Sequence, residues 1–215
     1  MIQLSKAQSV FLVADAFLIT QVFIWLLGVG TPPILWLLFP QLPLFLVFFM
    51  SSTAMLLGVV FLCLLTNHTS LPFKFDRGAF LTLGGGIVAH YMLISLLKPF
   101  FRDGQPFDPL TWGLAGYLYL FSYIVCSPLA EEILVRGGYF EVLRRSWGDG
   151  PALNMSTALF VIPHLIWRPT DYLYPPMLLE LTLASVLFTY LYIVGGLVPA
   201  IAVHIFWNFY VKFLG

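Results

Sequence analysis

Long apolar runs, separated by short polar or proline-rich segments, fill most of the chain. A helix needs about 20 apolar residues to cross the hydrocarbon core of a bilayer. By this rule the pattern predicts about seven membrane-spanning helices, so we expect an all-α, polytopic transmembrane bundle. The predicted spans cover residues 10–29, 44–65, 79–97, 110–136, 152–167, 177–194 and 198–214.

A further apolar segment, residues 34–40, lies between prolines and is too short to cross a bilayer. We expect it to be re-entrant or interfacial, and the number of spans becomes eight if it merges with its neighbours. The longest predicted loops are residues 66–78, 98–109 and 137–151. Because no linker, repeat or low-complexity tract is visible, residues 1–215 are predicted to form one integral-membrane domain. Residues 1–109 would supply accessory spans, and residues 110–215 the spans that carry the polar motifs.

Composition also indicates a membrane protein, since 60% of the residues are hydrophobic, 9% are charged and the mean hydropathy is +0.93. The formal net charge of zero, without a basic patch or P-loop, argues against a nucleic-acid partner. Cys63 and Cys126 lie in apolar runs without the spacing of a disulfide or zinc site, so we interpret them as inert buried thiols. The first apolar run lacks a cleavage site and is interpreted as a transmembrane helix. The small size suggests a prokaryotic cell membrane.

Two adjacent carboxylates, Glu131 and Glu132, lie with Arg136 at the end of the fourth apolar run. A charge at the centre of a membrane helix costs about 2.5 to 3.5 kcal/mol on insertion scales, so such charges are usually paired or functional. Glu132 and Arg136 are i,i+4 neighbours in the favourable order, with the acid nearer the N-terminus. Glu131 lies about 100° round the helix and cannot share the arginine. The spacing therefore predicts one neutralised pair and one carboxylate left free for another task.

Polar side chains recur at a spacing of four residues on two later runs. His164 follows Phe160 in the fifth run, and His204 precedes Asn208 in the seventh. Residues four apart share one face of a helix. Glu131 and His204 are each predicted to lie about 10 Å deep, so they are level if their helices enter from the same face. His164 is predicted to lie deeper, unless the proline before it kinks or ends the helix.

Three motifs, in their order along the chain, resemble the CAAX protease and bacteriocin-processing family of intramembrane peptidases. They are Glu131-Glu132-Ile-Leu-Val-Arg136, Phe160-Val-Ile-Pro-His164 and His204-Ile-Phe-Trp-Asn208. This family includes the Ras-converting-enzyme type of CAAX endopeptidase and the abortive-infection-like proteins. Each motif alone is weak, but three motifs in order on three predicted spans are specific. The resemblance covers the C-terminal half, whereas residues 1–109 match only as generic helical spans.

The resemblance implies a membrane-embedded glutamic endopeptidase without a metal or another cofactor, with residues 110–215 as its catalytic core. Glu131 would activate a water molecule for attack on a peptide bond, and His164 would help to hold and polarise that water. His204 and Asn208 would stabilise the oxyanion. The residues with supporting roles would be Glu132, Arg136 and Phe160. The implied partners are membrane lipid and a peptide or protein substrate, either a CAAX-type tail, with or without a prenyl group, or a leader peptide.

Three other functions stay open at this point. Glu131, His164 and His204 could form the zinc site of a membrane peptidase, although no H-E-x-x-H helix is present. The chain could instead be a catalytically silent immunity or binding protein of the same family. A transporter should contain internal repeats of its spans, and none is visible. The residues that match no motif, and that we interpret as structural, are Asp15, His90 and Glu180.

Overall fold

The computed structural model describes residues 4–29, 41–66, 73, 75–97, 99 and 113–213. These residues form eight successive helices and no strand, which confirms the predicted all-α class. The helices are α1 (Lys6–Val29), α2 (Gln41–Thr66), α3 (Arg77–Leu97), α4 (Gly113–Trp147), α5 (Asp149–Trp167), α6 (Pro169–Tyr172), α7 (Pro175–Gly195) and α8 (Leu197–Phe213).

Within the described residues, three helices are long and apolar enough to cross a membrane: α3, α4 and α7. Helix α8 is apolar but shorter. On α3 only 17% of the apolar window is buried, and large apolar side chains such as Phe80 and Leu96 are exposed. Such a surface fits a lipid environment. The chain is therefore a helical membrane bundle, while the number of seven to eight spans stays a prediction and residues 34–40 lie outside the described residues.

Helix α4 is longer than predicted. Its central part contains two π-helical segments, Ser122–Cys126 and Ile133–Phe140, and the helix ends only at Trp147. The prediction of a loop at residues 137–151 is wrong, because Gly138 allows close packing inside the helix and the helix ends only before Gly148. A Cβ atom on buried Gly138 would lie 3.1 Å from Cδ1 of Leu62 on α2.

Helix α4 ends and α5 begins at Gly148, where φ is +79°. Only glycine adopts this backbone conformation readily. The two arginines before Gly148 fall in the predicted loop 137–151, but they are helical. Arg144 and Arg145 pair with Glu141 one turn earlier at 2.9 Å and 3.3 Å. These pairs support the last turns of α4 as a helix.

Helices α3, α7 and α8 pack closely because of a small residue on α3. A Cβ atom on Gly86 would lie 2.8 Å from Leu191 of α7 and 2.9 Å from Val203 of α8. Gly86 therefore permits the close approach of the three helices, whereas Gly84 and Gly85 have no neighbouring atom within 4 Å. Helices α7 and α8 are joined at Gly196 and run antiparallel, and with α4 and α5 they position the three motifs.

Candidate active site

The ion pair predicted from sequence spacing lies at the centre of the bundle. Nη1 of Arg136 donates to Oε1 of Glu132 at 3.0 Å, and both side chains are fully buried. Nη2 of Arg136 also donates to the backbone oxygen and the hydroxyl of Ser185 on α7, each at 2.8 Å. The guanidinium lies 4.7 Å from the ring centre of Phe160, in a cation–π arrangement. Residues of helices α4, α5 and α7 thus contact the arginine of this pair together.

Glu132 has a second partner that sequence spacing could not reveal. Its Oε1 atom lies 2.8 Å from Nδ1 of His204, a residue 72 positions later on α8. Glu132 therefore has two partners, the predicted Arg136 and also His204. The carboxylate links α4 to α8 and fixes the orientation of the imidazole ring. Because Nδ1 is the nitrogen bound to Glu132, the other nitrogen, Nε2, faces the neighbouring carboxylate.

Glu131 presents one carboxylate oxygen to the site. Its Oε1 accepts a hydrogen bond from the hydroxyl of Ser127, one turn earlier, at 2.5 Å. Its Oε2 is buried, has no hydrogen-bond partner among the described residues and lies 3.9 Å from Nε2 of His204. A water oxygen in this gap could form hydrogen bonds with both groups. The i,i+4 spacing of Ser127 and Glu131 is the feature of the sequence that indicates this contact.

Aromatic rings enclose the imidazole of His204. Phe188 of α7 stacks on it with ring centres 4.6 Å apart and an angle of 18°. Phe160 of α5 meets it edge-on at 5.8 Å, and Trp207 lies at 5.9 Å. These rings exclude water from most of the ring surface. Sequence spacing pointed to Phe160, whereas nothing in the sequence singled out Phe188.

His164 belongs to the same cluster. Its Nδ1 lies 2.8 Å from the backbone oxygen of Phe160, and its ring lies 4.9 Å from the Phe160 ring, which also contacts His204. His164 is close enough to interact electrostatically with Glu131 and His204. Helix α5 continues through the proline before His164, so the helix does not end there.

Tyr172 of the short helix α6 covers the outer side of this histidine, with a ring-centre distance of 5.2 Å to His164 and an angle of 86°. Burial raises the pKa of the Tyr172 hydroxyl, so this group stays protonated at neutral pH. No motif or spacing in the sequence indicates Tyr172. A shallow depression of about 360 Å³ lies next to it, at the connection of α6 and α7, and none of the four candidate residues lines that depression.

Asn208 is held by the backbone of α4. Its side-chain nitrogen donates to the carbonyl oxygen of Tyr123 at 2.8 Å, which leaves one amide hydrogen and the amide oxygen for other partners. Tyr123 is itself within electrostatic range of Glu131. The four candidate residues therefore lie in one region, and each is held by a neighbour. Ser127 holds Glu131, Phe160 holds His164, Glu132 holds His204 and Tyr123 holds Asn208.

This arrangement supplies a carboxylate oxygen without a partner among the described residues, together with two imidazole rings and an amide in a mostly apolar enclosure. In the part of the chain that the structure describes, no three His, Cys, Asp or Glu side chains are grouped so that they could hold a metal ion. The groups suit proton transfer and oxyanion stabilisation.

Comparison with known proteins agrees with the motifs. Residues 112–210, just under half of the chain, match the family model described as type II CAAX prenyl endopeptidase Rce1-like. The matched range contains all three motifs and confirms the family resemblance. It indicates a membrane endopeptidase, which acts on a peptide or protein. No curated protein and no solved structure matches the chain significantly.

Proposed function

We propose that this protein is an intramembrane glutamic endopeptidase in which Glu131 activates the attacking water. The observation that carries the proposal is the position of Glu131 Oε2, which is buried, has no partner among the described residues and lies 3.9 Å from Nε2 of His204. Ser127 occupies the other carboxylate oxygen, so the side chain has a fixed orientation. A water molecule bound at Oε2 would be activated by this carboxylate, with the imidazole of His204 close enough to donate to the oxyanion that forms.

The reaction needs no group beyond water and the side chains. Glu131 takes a proton from the water, whose oxygen forms a bond to the carbonyl carbon of the substrate. The carbonyl electrons move onto its oxygen, which becomes the oxyanion. When this intermediate collapses, the carbon–nitrogen bond breaks and Glu131 returns its proton to the leaving nitrogen. His164, whose Nδ1 is occupied by a backbone oxygen, would use Nε2 to help hold the water.

His204 and Asn208 would stabilise the oxyanion. Asn208 has one amide hydrogen that is not used by Tyr123. Donation by His204 from Nε2, while Nδ1 donates to Glu132, requires the doubly protonated imidazolium form. Glu132 offers a negative charge 2.8 Å from that ring, and Arg136 balances the charge of Glu132. In known cases one such oxyanion donor contributes about 2.7 to 4 kcal/mol to transition-state stabilisation.

The substrate would be a membrane-associated peptide or protein. The family description names a CAAX prenyl endopeptidase, so a CAAX-type tail is the first substrate to test. A leader peptide is the second, because the apolar walls of the site do not distinguish a prenyl group from apolar side chains. A catalytically silent binding or immunity protein of the same family would bind such peptides without cleaving them.

The test is cleavage of labelled peptides by purified protein in detergent, with a farnesylated CAAX-type tail, its unprenylated form and a leader-type peptide. Glu131→Gln should lower kcat by about 10³-fold while the protein stays folded. The matched control is Asp15→Asn, at an exposed acid on α1, which should leave kcat unchanged. Equal activity of Glu131→Gln and the unchanged protein would refute the role of Glu131, and no cleavage of any peptide would favour the silent binding protein.

A further inference from the structure

Glu180 on α7 is a buried carboxyl group for which the described part of the chain supplies no hydrogen-bond partner. Its residue is 1% exposed, and neither carboxyl oxygen has a hydrogen-bond partner among the described residues. The two other buried glutamates both have partners. Glu132 binds Arg136 and His204, and the carboxylate of Glu141 accepts a hydrogen bond from Tyr192 at 2.9 Å. Because a buried polar group without a partner is costly and rare, this exception needs an explanation.

Glu180 has neighbours in common with the candidate active site. Its carboxyl group is within electrostatic range of Tyr123 and Tyr172, and the same two tyrosines interact electrostatically with Glu131. Tyr172 packs against His164, and the backbone oxygen of Tyr123 holds the amide of Asn208. Glu180 and Glu131 therefore share two tyrosine neighbours, which connects the buried carboxyl group to the candidate active site.

Its distance from the reaction centre matches a few residues of substrate. Glu180 precedes Phe188, the residue that stacks on His204, by eight positions on the same helix. Eight residues of helix correspond to about 12 Å along the axis. An extended peptide covers about 12 Å in three to four residues, at about 3.3 Å per residue. A peptide with its scissile bond at Glu131 could therefore reach Glu180 with its main chain.

An extended peptide also brings the hydrogen-bond donors that Glu180 lacks. Each residue other than proline has a backbone N–H group, and in a site closed to water these groups must be satisfied by the protein. Resting on the proposed function, we propose that Glu180 is a substrate-binding residue whose carboxyl group accepts hydrogen bonds from the peptide backbone, three to four residues from the scissile bond.

The experiment compares two substitutions at Glu180 with a control at Glu141. Glu180→Leu removes the acceptor and should raise KM about tenfold, with kcat within twofold of its original value. Its melting temperature in detergent should be equal or higher, because an unpartnered polar group has been removed from the interior. Glu180→Gln keeps a carbonyl acceptor and should restore most of the affinity. Glu141→Gln, which breaks existing contacts inside the protein, should lower the melting temperature and leave KM unchanged.

A length series gives a readout that a structural role would not change. The KM effect of Glu180→Leu should disappear for peptides with fewer than three residues on one side of the scissile bond. An unchanged KM for the longer peptides would overturn the proposal, and so would a KM increase that is equal for all lengths and accompanied by a lower melting temperature.

Binding of the labelled tail peptide to the Glu131→Gln protein separates this proposal from the peptidase assignment. Weaker binding by the double variant Glu131→Gln with Glu180→Leu would support the role of Glu180 even if no peptide is cleaved. Equal binding with and without Glu180→Leu would overturn it, whether or not the unchanged protein is active.

Discussion

Asn208 on α8 donates a hydrogen bond to the backbone oxygen of Tyr123 on α4, and the local geometry of α4 makes that oxygen available. In an α-helix this oxygen would accept from the N–H of Ser127, but in the π-helical segment Ser127 donates to Ser122 instead. The next residue, Pro128, has no N–H group. The π-helical turn and the proline together leave one backbone oxygen to fix the amide of Asn208.

This contact predicts that Asn208→Asp is far more harmful than the nearly equal size of the two side chains suggests. The aspartate has no amide hydrogen, so it can neither bind the Tyr123 oxygen when ionised nor donate to an oxyanion. We expect kcat to fall by about 10²- to 10³-fold in the peptide-cleavage assay. The matched control is Asn154→Asp at an exposed position of α5, which should leave kcat unchanged. A variant with more than half of the original kcat would contradict the oxyanion role.

The buried pair of Glu132 and Arg136 predicts a separation of stability from activity. Glu132→Gln leaves the arginine charge buried without its partner and should cost about 3 to 5 kcal/mol of unfolding free energy. The double variant Glu132→Gln with Arg136→Met removes both charges, so most of the melting temperature should return.

Activity should not return in this double variant, because His204 has still lost the carboxylate that orients it. Thermal melts in detergent and peptide cleavage on the same samples measure the two effects. Recovery of both stability and activity would mean that Glu132 serves only to balance Arg136.

The sequence predicted the contacts within one helix better than those between helices. The pair of Glu132 and Arg136 follows from a spacing of four residues, and the structure contains it at 3.0 Å. The bond from Glu132 to His204 joins residues 72 positions apart, and only the packing of α4 against α8 brings them together. The all-α class was likewise readable from the apolar runs.

Glycine was the least reliable signal. Gly137 and Gly138 were interpreted as the start of a loop, although Gly138 lies in a helix and lets Leu62 approach. A glycine that allows close packing and a glycine that ends a helix look the same in one sequence, since only the neighbouring helix decides between them.

Ser127 should control the orientation of the Glu131 carboxylate. Its hydroxyl donates to Oε1 of Glu131, so Ser127→Ala frees the carboxylate to rotate away from His204. We expect kcat to fall about tenfold, with KM and the melting temperature little changed. Ser122→Ala is a close control, because Ser122 is also buried on α4 but its hydroxyl has no hydrogen-bond partner among the described residues. Equal kcat values for the two variants would exclude an orienting role for Ser127.

Metal dependence distinguishes the glutamic mechanism from a zinc peptidase that would use the same residues. A zinc site needs three protein ligands at about 2.0 to 2.2 Å, and its histidines usually donate to a carboxylate or a backbone oxygen behind them. Glu132 behind His204, and the Phe160 oxygen behind His164, would meet the second requirement. The first is not met in the described residues, where no three side chains of the right types are grouped as ligands.

We therefore expect protein treated with a strong chelator, and then freed of it, to keep its kcat for the labelled tail peptide. Metal analysis of the active protein should give much less than one equivalent of zinc. The control is a zinc peptidase treated in parallel, which should lose its activity, so that a negative result reflects the protein and not the chelator. Activity that is lost with the metal and restored by zinc alone would overturn the glutamic mechanism. Glu131, His164 and His204 would then be assigned as zinc ligands, because these side chains are the available donors at this site.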